Sequence, residues 1–291
     1  MEGYTITLND GRNLGFCEYG EPDGIPLMLF HGTPGSRLIP SLAKAAWVKA
    51  FGLRVITPER PGFGLSDPAP GRNISDWAKD VEELADYLCL DRYHVAGGSG
   101  GGPYALACVI GSPQRVRSAT LISSGGPPEV MRITKDMLFG NRVVFFGARY
   151  APFLLKYLHA QVAKSIKERP EKLKAKMVAR LSKTNPHMRD ENSGESLFMT
   201  LQEAYRQGRD GVDCDILLVG RDWGLDLTAI KVPVFLWHGT ADNLVPVSTA
   251  RGLAKLIPGC EAHFVPDAGH LLLGREEVAS QMMSRLLSVA A

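Results

Sequence analysis

Residues 93–110 read Tyr-His-Val-Ala-Gly-Gly-Ser-Gly-Gly-Gly-Pro-Tyr-Ala-Leu-Ala-Cys-Val-Ile, and few folds can hold them. A short apolar run ending in Val95-Ala96 has the character of a buried strand. Tyr104, Leu106, Ala107, Val109 and Ile110 supply the apolar content of a helix, which Gly111-Ser112-Pro113 closes with breakers. Between them stands Gly97-Gly98-Ser99-Gly100-Gly101. A turn this sharp strains the serine backbone and leaves its neighbours little room for side chains. In return, the hydroxyl stands clear of the sheet edge and the first helical N–H groups point at whatever it meets. Strand, Gly-x-Ser-x-Gly and helix together match a nucleophile elbow, although the five residues alone suit equally a glycine-rich turn whose serine caps the helix, and the rest of the chain must decide.

The flanking chain supplies the sheet that such an elbow needs. Residues 4–8 and 14–19 alternate around Asn9-Asp10-Gly11-Arg12 as a β-hairpin. Pro26–Phe30 is continuously apolar, as a strand covered on both faces must be. Residues 41–51 have helical character, 53–57 form a strand, and Ser75 or Asp76 is placed to cap a helix through Trp77, Val81, Leu84, Ala85 and Leu88. Further strands are expected at 119–122, 232–239 and 262–265, and an amphipathic helix at 276–290. Strands alternating with helices predict a mostly parallel sheet with helices on both faces.

That rhythm breaks at Gly125-Gly126-Pro127-Pro128, and up to about Trp223 the pattern is helical without a buried strand. The expected organisation is therefore an α/β core of residues 1–126 and 226–291, interrupted by a helical cap at 127–225. Within that excursion Phe139, Val143, Phe146, Tyr150, Phe153, Leu154 and Tyr157 offer more apolar surface than a connector requires. Either all of this surface packs on the core, or some of these rings roof an apolar pocket above Ser99 where a hydrophobic group would sit. Lys164–Lys183 carries eight lysines and arginines against Glu168 and Glu171. Two readings stand for it: a solvated helix face, or a basic rim that steers anionic substrates or rests on a membrane surface.

Composition removes several classes of function. A net charge of +2 over 291 residues makes no case for nucleic acid. Cys17, Cys89, Cys108, Cys214 and Cys260 are scattered and odd in number, and read as reduced, mostly buried thiols of a cytoplasmic protein. No run approaches the ~18 apolar residues of a membrane span, so stable insertion is not expected. No two histidines fall at metal-ligand spacing, and no metal is expected. Gly97–Gly102 lacks the Gly-Lys-Ser/Thr ending of a phosphate loop, and no dinucleotide fingerprint occurs, so no cofactor is expected.

Chemistry gathers where loops follow predicted strands, at 31–36, 97–101, 239–245 and 266–270, because ligands of open α/β sheets sit at the strands' carboxyl ends. Ser99 is a poor nucleophile without a base. His270, in Pro266-Asp267-Ala268-Gly269-His270, is the candidate base. Asp242, in Gly239-Thr240-Ala241-Asp242-Asn243, is the candidate acid that fixes the imidazole tautomer. The N–H groups of Gly100 and Thr33 are the candidate oxyanion donors. His31 is read as a loop-packing residue and Asp67 as an anchor of its loop. Asp222 and Asp226 are weaker rivals to Asp242, since neither directly follows a core strand. His94, His159, His187, His238 and His263 have no partner pattern and read as surface or core residues.

The set His31-Gly32-Thr33-Pro34-Gly35, Arg60–Asp67, Gly97–Gly101, Gly239-x-x-Asp242 and Gly269-His270 resembles the α/β-hydrolase superfamily over nearly all of 1–126 and 226–291. The resemblance implies an eight-stranded, mostly parallel sheet, a cap over the site, and a serine hydrolase with the triad Ser99, Asp242 and His270. The substrate it implies is a small molecule, a hydrophobic carboxylic ester cleaved through an acyl-enzyme. There is also a distant likeness to proline iminopeptidases, which show His-Gly-Gly-Pro-Gly and a tryptophan after the serine; this chain has Thr33 and Gly100 there. An iminopeptidase-like peptidase, and a ligand receptor with little turnover on the same fold, remain the alternatives. Nothing in the residues bears on oligomeric state.

Overall fold

The computed structural model describes residues 3–39, 42, 45–131, 133–134, 137–186 and 191–289. Its sheet contains β1 (Tyr4–Thr7), β2 (Asn13–Gly20), β3 (Ile25–Phe30), β4 (Leu53–Pro58), β5 (Tyr93–Gly98), β6 (Val116–Ile122), β7 (Val234–Gly239) and β8 (Glu261–Val265). Their order is β1-β2-β4-β3-β5-β6-β7-β8. Only β2 runs against its neighbours, pairing antiparallel with β1 and β4; the remaining pairs are parallel. The order reverses at β3, whose next strand in sequence, β4, lies on one side and β5 on the other. A crevice opens outside the carboxyl ends of strands at such a reversal. Phe30 and Gly97 pair across it, so the loops that follow β3 and β5 begin side by side.

Apolar alternation along the strands builds two core layers. Leu27 and Leu29 of β3 face α1 (Ala46–Ala50) and α10 (Glu276–Leu287), where Trp47, Val48, Met282, Met283 and Leu286 are buried. Met28 and Phe30 face the other way, toward Trp77, Val81 and Leu84 of α2 (Trp77–Tyr87) and Tyr104 and Leu106 of α3 (Gly102–Gly111). Cys17 and Cys108 are buried, one in each layer, while Cys214 and Cys260 are half-buried and Cys89 is exposed.

Two local expectations change. The helix expected over 41–51 is confined to α1 among the described residues; Ser41, Ala43 and Lys44 lie outside them, as does Ala290 at the end of the closing helix. Asp76 precedes α2 but does not cap it, because its carboxylate accepts the Asn73 N–H instead.

Between β6 and β7 lie α4 (Phe139–Tyr150), α5 (Pro152–Glu168), α6 (Pro170–Leu181), α7 (Glu191–Ala204) and α8 (Asp210–Val219). They share a cluster of their own, in which Ala148, Leu155, Phe198, Leu201, Val212 and Ile216 pack with Phe63 of the sheet domain. α9 (Val247–Leu256) follows β7.

The roof of aromatic rings is not formed. Phe139, Phe146, Tyr150, Phe153 and Tyr157 are exposed, and Val143 and Leu154 are half-buried. The reason is helical phase. α4 and α5 bury Gly147, Ala148, Leu155 and His159, and the rings, lying on the opposite faces, are carried outward.

Candidate active site

At the elbow β5 ends on Gly98, Ser99–Gly101 make a single 3₁₀ turn, and α3 begins at Gly102. Ser99 has φ +52°, in the left-handed region that disfavours any residue with a side chain. The turn closes only because its neighbours are bare. A Cβ on Gly97 would fall 2.3 Å from the Gly101 carbonyl oxygen, and one on Gly101 would fall 2.3 Å from that of Phe30. The Ser99 carbonyl accepts the Gly125 N–H at 3.3 Å, which ties the turn to the end of β6. Ser99 itself is half-buried.

The loop after β3 meets this turn from the side. A Cβ on Gly100 would lie 2.4 Å from Thr33 Oγ1 and 3.2 Å from the Thr33 nitrogen. Gly100 and Thr33 are thus in contact, and the threonine side chain occupies the space that a larger residue after the serine would need. His31 is buried with both ring nitrogens engaged: Nδ1–H donates to the Gly32 carbonyl at 2.8 Å, and Nε2 accepts the Arg60 N–H at 3.3 Å. Burial, reinforced by the positive Arg60, drives its pKa well below the ordinary histidine range. The ring is therefore a neutral strut, in keeping with the loop-packing reading.

Arg60, fully buried, fixes the same loop from behind. It donates to the His31 carbonyl at 2.6 Å, the Gly32 carbonyl at 3.0 Å and Thr33 Oγ1 at 3.0 Å. Its charge is met by Asp215 of α8, which takes Arg60 Nε and Nη2 at 2.9 Å each, Arg72 Nη2 at 3.0 Å and the Tyr104 hydroxyl at 2.5 Å. Thr33 Oγ1 also donates to Asp215. Burial alone would raise the Asp215 carboxyl, but the two guanidinium groups hold it well below the usual range. Sequence reading missed Asp215, although a signal existed. Val212, Asp215, Ile216 and Val219 share one helical stripe, and an acid on an apolar stripe must find a buried partner.

Asp242 and His270 meet beyond β7 and β8. His270 Nδ1–H donates to Asp242 Oδ2 at 2.7 Å, which leaves Nε2 as the ring's acceptor. Asp242 Oδ1 accepts the Leu244 and Val245 N–H groups at 2.9 and 3.0 Å. The pair is buried, and although burial opposes ionisation, His270 and His238 hold the Asp242 carboxyl well below its ordinary value. His238 is the second residue that sequence reading missed as a partner. Its Nε2 lies 3.3 Å from Asp242 Oδ2 while donating to the Val245 carbonyl at 2.9 Å. Among the described residues no hydrogen bond joins Ser99 Oγ to His270, a link that often tightens only once substrate is bound.

The His270 loop, like the Thr33 loop, is held by the helical excursion. Asn185, between α6 and α7, accepts the Leu271 N–H at 2.9 Å, and a Cβ on Gly269 would lie 2.6 Å from the Thr184 carbonyl oxygen.

The other candidates have local duties. Asp222 accepts the Gly224 N–H, and exposed Asp226 caps the turn at Thr228. Asp67 anchors its loop by taking the Asn13 N–H and side-chain amide. His94 bonds to Ser118, with burial pushing its pKa down to about 4, and His159 is paired with Asp213 inside the excursion. His263 stacks on Trp237 at 4.0 Å, and His187 lies outside the described residues. No group of three His, Cys, Asp or Glu side chains among the described residues could hold a metal, and no described helix is long and apolar enough to cross a membrane.

This sheet order, with a strained serine after β5 and a His–Asp pair after β7 and β8, defines the class. The family model described as alpha/beta hydrolase fold matches residues 25–276, and the chain belongs to that family. It is 28% identical over 260 residues to a non-heme chloroperoxidase of Streptomyces lividans, covering 84% of each chain. It is 26% identical over 275 residues to a probable proline iminopeptidase of Leptolyngbya boryana, covering 87% of this chain and 84% of that one. Among solved structures, a thermophilic esterase from Thermogutta terrifontis superposes with a TM-score of 0.69 at 24% identity, covering 99% of this chain and 98% of that one. At that identity the likeness concerns the fold alone.

Proposed function

We propose that this protein is a serine hydrolase that cleaves a small carboxylic ester through an acyl-enzyme. Ser99 Oγ attacks the carbonyl carbon as His270 Nε2 takes its proton. Asp242 keeps the imidazole in the tautomer with hydrogen on Nδ1 and stabilises the imidazolium. The tetrahedral oxyanion is received by the N–H groups of Gly100 and Thr33, each worth about 2.7–4 kcal/mol in such a site. Collapse expels the alcohol, which takes the proton from His270. Water then repeats the sequence on the acyl-Ser99 and releases the acid.

The observation that carries this reading is the buried 2.7 Å bond between His270 Nδ1 and Asp242 Oδ2, which leaves Nε2 as the free basic nitrogen on the sheet edge where strained Ser99 stands. Esterases stand among the solved proteins that share this fold. In the same reading residues 127–225 act as the cap, since Asp215 and Asn185 reach the Thr33 and His270 loops from that segment.

A serine-directed phosphonate followed by digestion and mass spectrometry should place the label on Ser99. Short p-nitrophenyl esters should be turned over by the native protein and not by Ser99→Ala. A label elsewhere, or binding of esters without turnover, removes the proposal. Prolyl p-nitroanilide run alongside tests the peptidase alternative suggested by the iminopeptidase relative. Thr33 opposes that alternative by filling the space beside Gly100.

A further inference from the structure

Nine large hydrophobic side chains are exposed among the described residues, and five of them, Phe139, Phe146, Tyr150, Phe153 and Tyr157, fall within nineteen consecutive positions of α4 and α5, at 50–78% exposure. Isolated apolar residues on a surface need no explanation, but a concentration of rings does. The Phe146 and Tyr150 centroids are 5.2 Å apart. Phe153 and Tyr157 are one turn apart on α5 with exposed Lys156 beside them, and Lys164 continues that face two turns on.

Cations surround the rings. The Arg142 guanidinium stands 5.5 Å from the centre of Phe139. Arg180 of α6 bonds to Asn141 and lies 3.5 Å from where a Cβ on Gly140 would be. Residues 139–181 hold ten lysines and arginines against two glutamates, in a chain whose net charge is only +2. α6 buries none of its side chains fully. A second copy of this chain would bring the same positive excess against itself. Exposed aromatic rings set among lysines and arginines instead match the boundary of an anionic bilayer, where rings enter the headgroup layer and the cations meet phosphate.

We infer that the α4–α5 face docks this protein peripherally on an anionic lipid bilayer, through Phe146, Tyr150, Phe153 and Tyr157 flanked by Arg142, Lys156 and Lys164. The inference does not depend on which ester, if any, is cleaved.

The test is co-sedimentation of the full chain with vesicles of phosphatidylcholine plus phosphatidylglycerol, and with phosphatidylcholine alone, at low and high salt. The native protein should partition about tenfold or more in favour of the anionic vesicles, with the preference shrinking as salt rises. Phe146→Ser/Tyr150→Ser/Phe153→Ser should lower that partition by about tenfold or more, from loss of buried apolar area. Lys156→Gln/Lys164→Gln should reduce mainly the salt-sensitive part. Thermal midpoint and far-ultraviolet circular dichroism serve as folding controls. If the triple variant fails them, Phe153→Ser, at the most exposed ring, takes its place and should still weaken binding. The inference is overturned if the native protein ignores anionic vesicles, or if the ring variants bind as well as native. It is equally overturned if the rings instead hold a dimer that the same substitutions dissolve. Binding is read without turnover, so its failure leaves the hydrolase reading standing, and a failed hydrolase reading leaves vesicle binding intact.

Discussion

The sheet and the helical excursion both bury apolar clusters but differ in how completely they do so and in how they hold the loops around Ser99. In the sheet, successive residues of β3 enter opposite core layers, and Leu27 and Met28 are fully buried. In the excursion, α6 buries no side chain fully, half-burying Leu173 and Met177, and α4 and α5 turn aromatic rings outward. Its attachment to the loops around Ser99 includes a few polar anchors, chiefly Asp215 behind Thr33 and Asn185 beside His270. A core built on area tolerates local change, because many contacts share the load. An attachment built on buried charge does not, because removing one partner strands the other.

The largest effect expected lies wholly within the sheet's own loops. Asp242→Asn should fold normally, since an amide oxygen can still accept the Leu244 and Val245 N–H groups. It should nevertheless lower kcat by about 10⁴, because the amide favours the wrong imidazole tautomer. Ester turnover with a matched thermal midpoint checks this, and near-native activity would remove Asp242 from the acid's role.

Asp215→Asn attacks the junction between the two regions. Arg60 and Arg72 would be left buried without their counter-charge, and we expect a loss of about 3–5 kcal/mol in urea unfolding. The pH dependence sharpens the test. A carboxyl held below its unfolded value stabilises the fold above about pH 4 and loses that contribution as pH falls through the folded value. The acid side of the native stability curve should therefore be steeper than that of Asp215→Asn. A loss below about 1 kcal/mol would mean that apolar packing, as in the sheet, holds the excursion.

The smallest effect concerns the contact between the two loops at the elbow. Gly100→Ala should cost about 1–3 kcal/mol, because its methyl meets Thr33 Oγ1 and that threonine is held by Asp215 and Arg60. Thr33→Gly in the same chain should restore part of the loss. A double-mutant cycle measures the coupling, and strict additivity would show that the two positions are independent.

What could be read in the chain followed from local rules. Bare glycines around Ser99 announce a tight turn, continuous apolar runs announce covered strands, and Asp242 and His270 each follow a strand within a few residues. The histidine–acid pairing of His238 with Asp242 was not legible, since it requires the loop after β7 to fold back until the Asp242 N–H reaches the Gly239 carbonyl.

The sequence by itself determined the sheet, its two layers and the loops that bear the candidate site, because hydrophobic period and turn chemistry act over a few residues. Tertiary structure alone decided that Asp215 would stand behind Thr33, 182 residues away, and that the rings of α4 and α5 would face solvent. Which face of a helix is buried depends on what else competes for the space. Ala148 and Leu155 won the inward positions against α8, so the rings on the opposite faces were left outside.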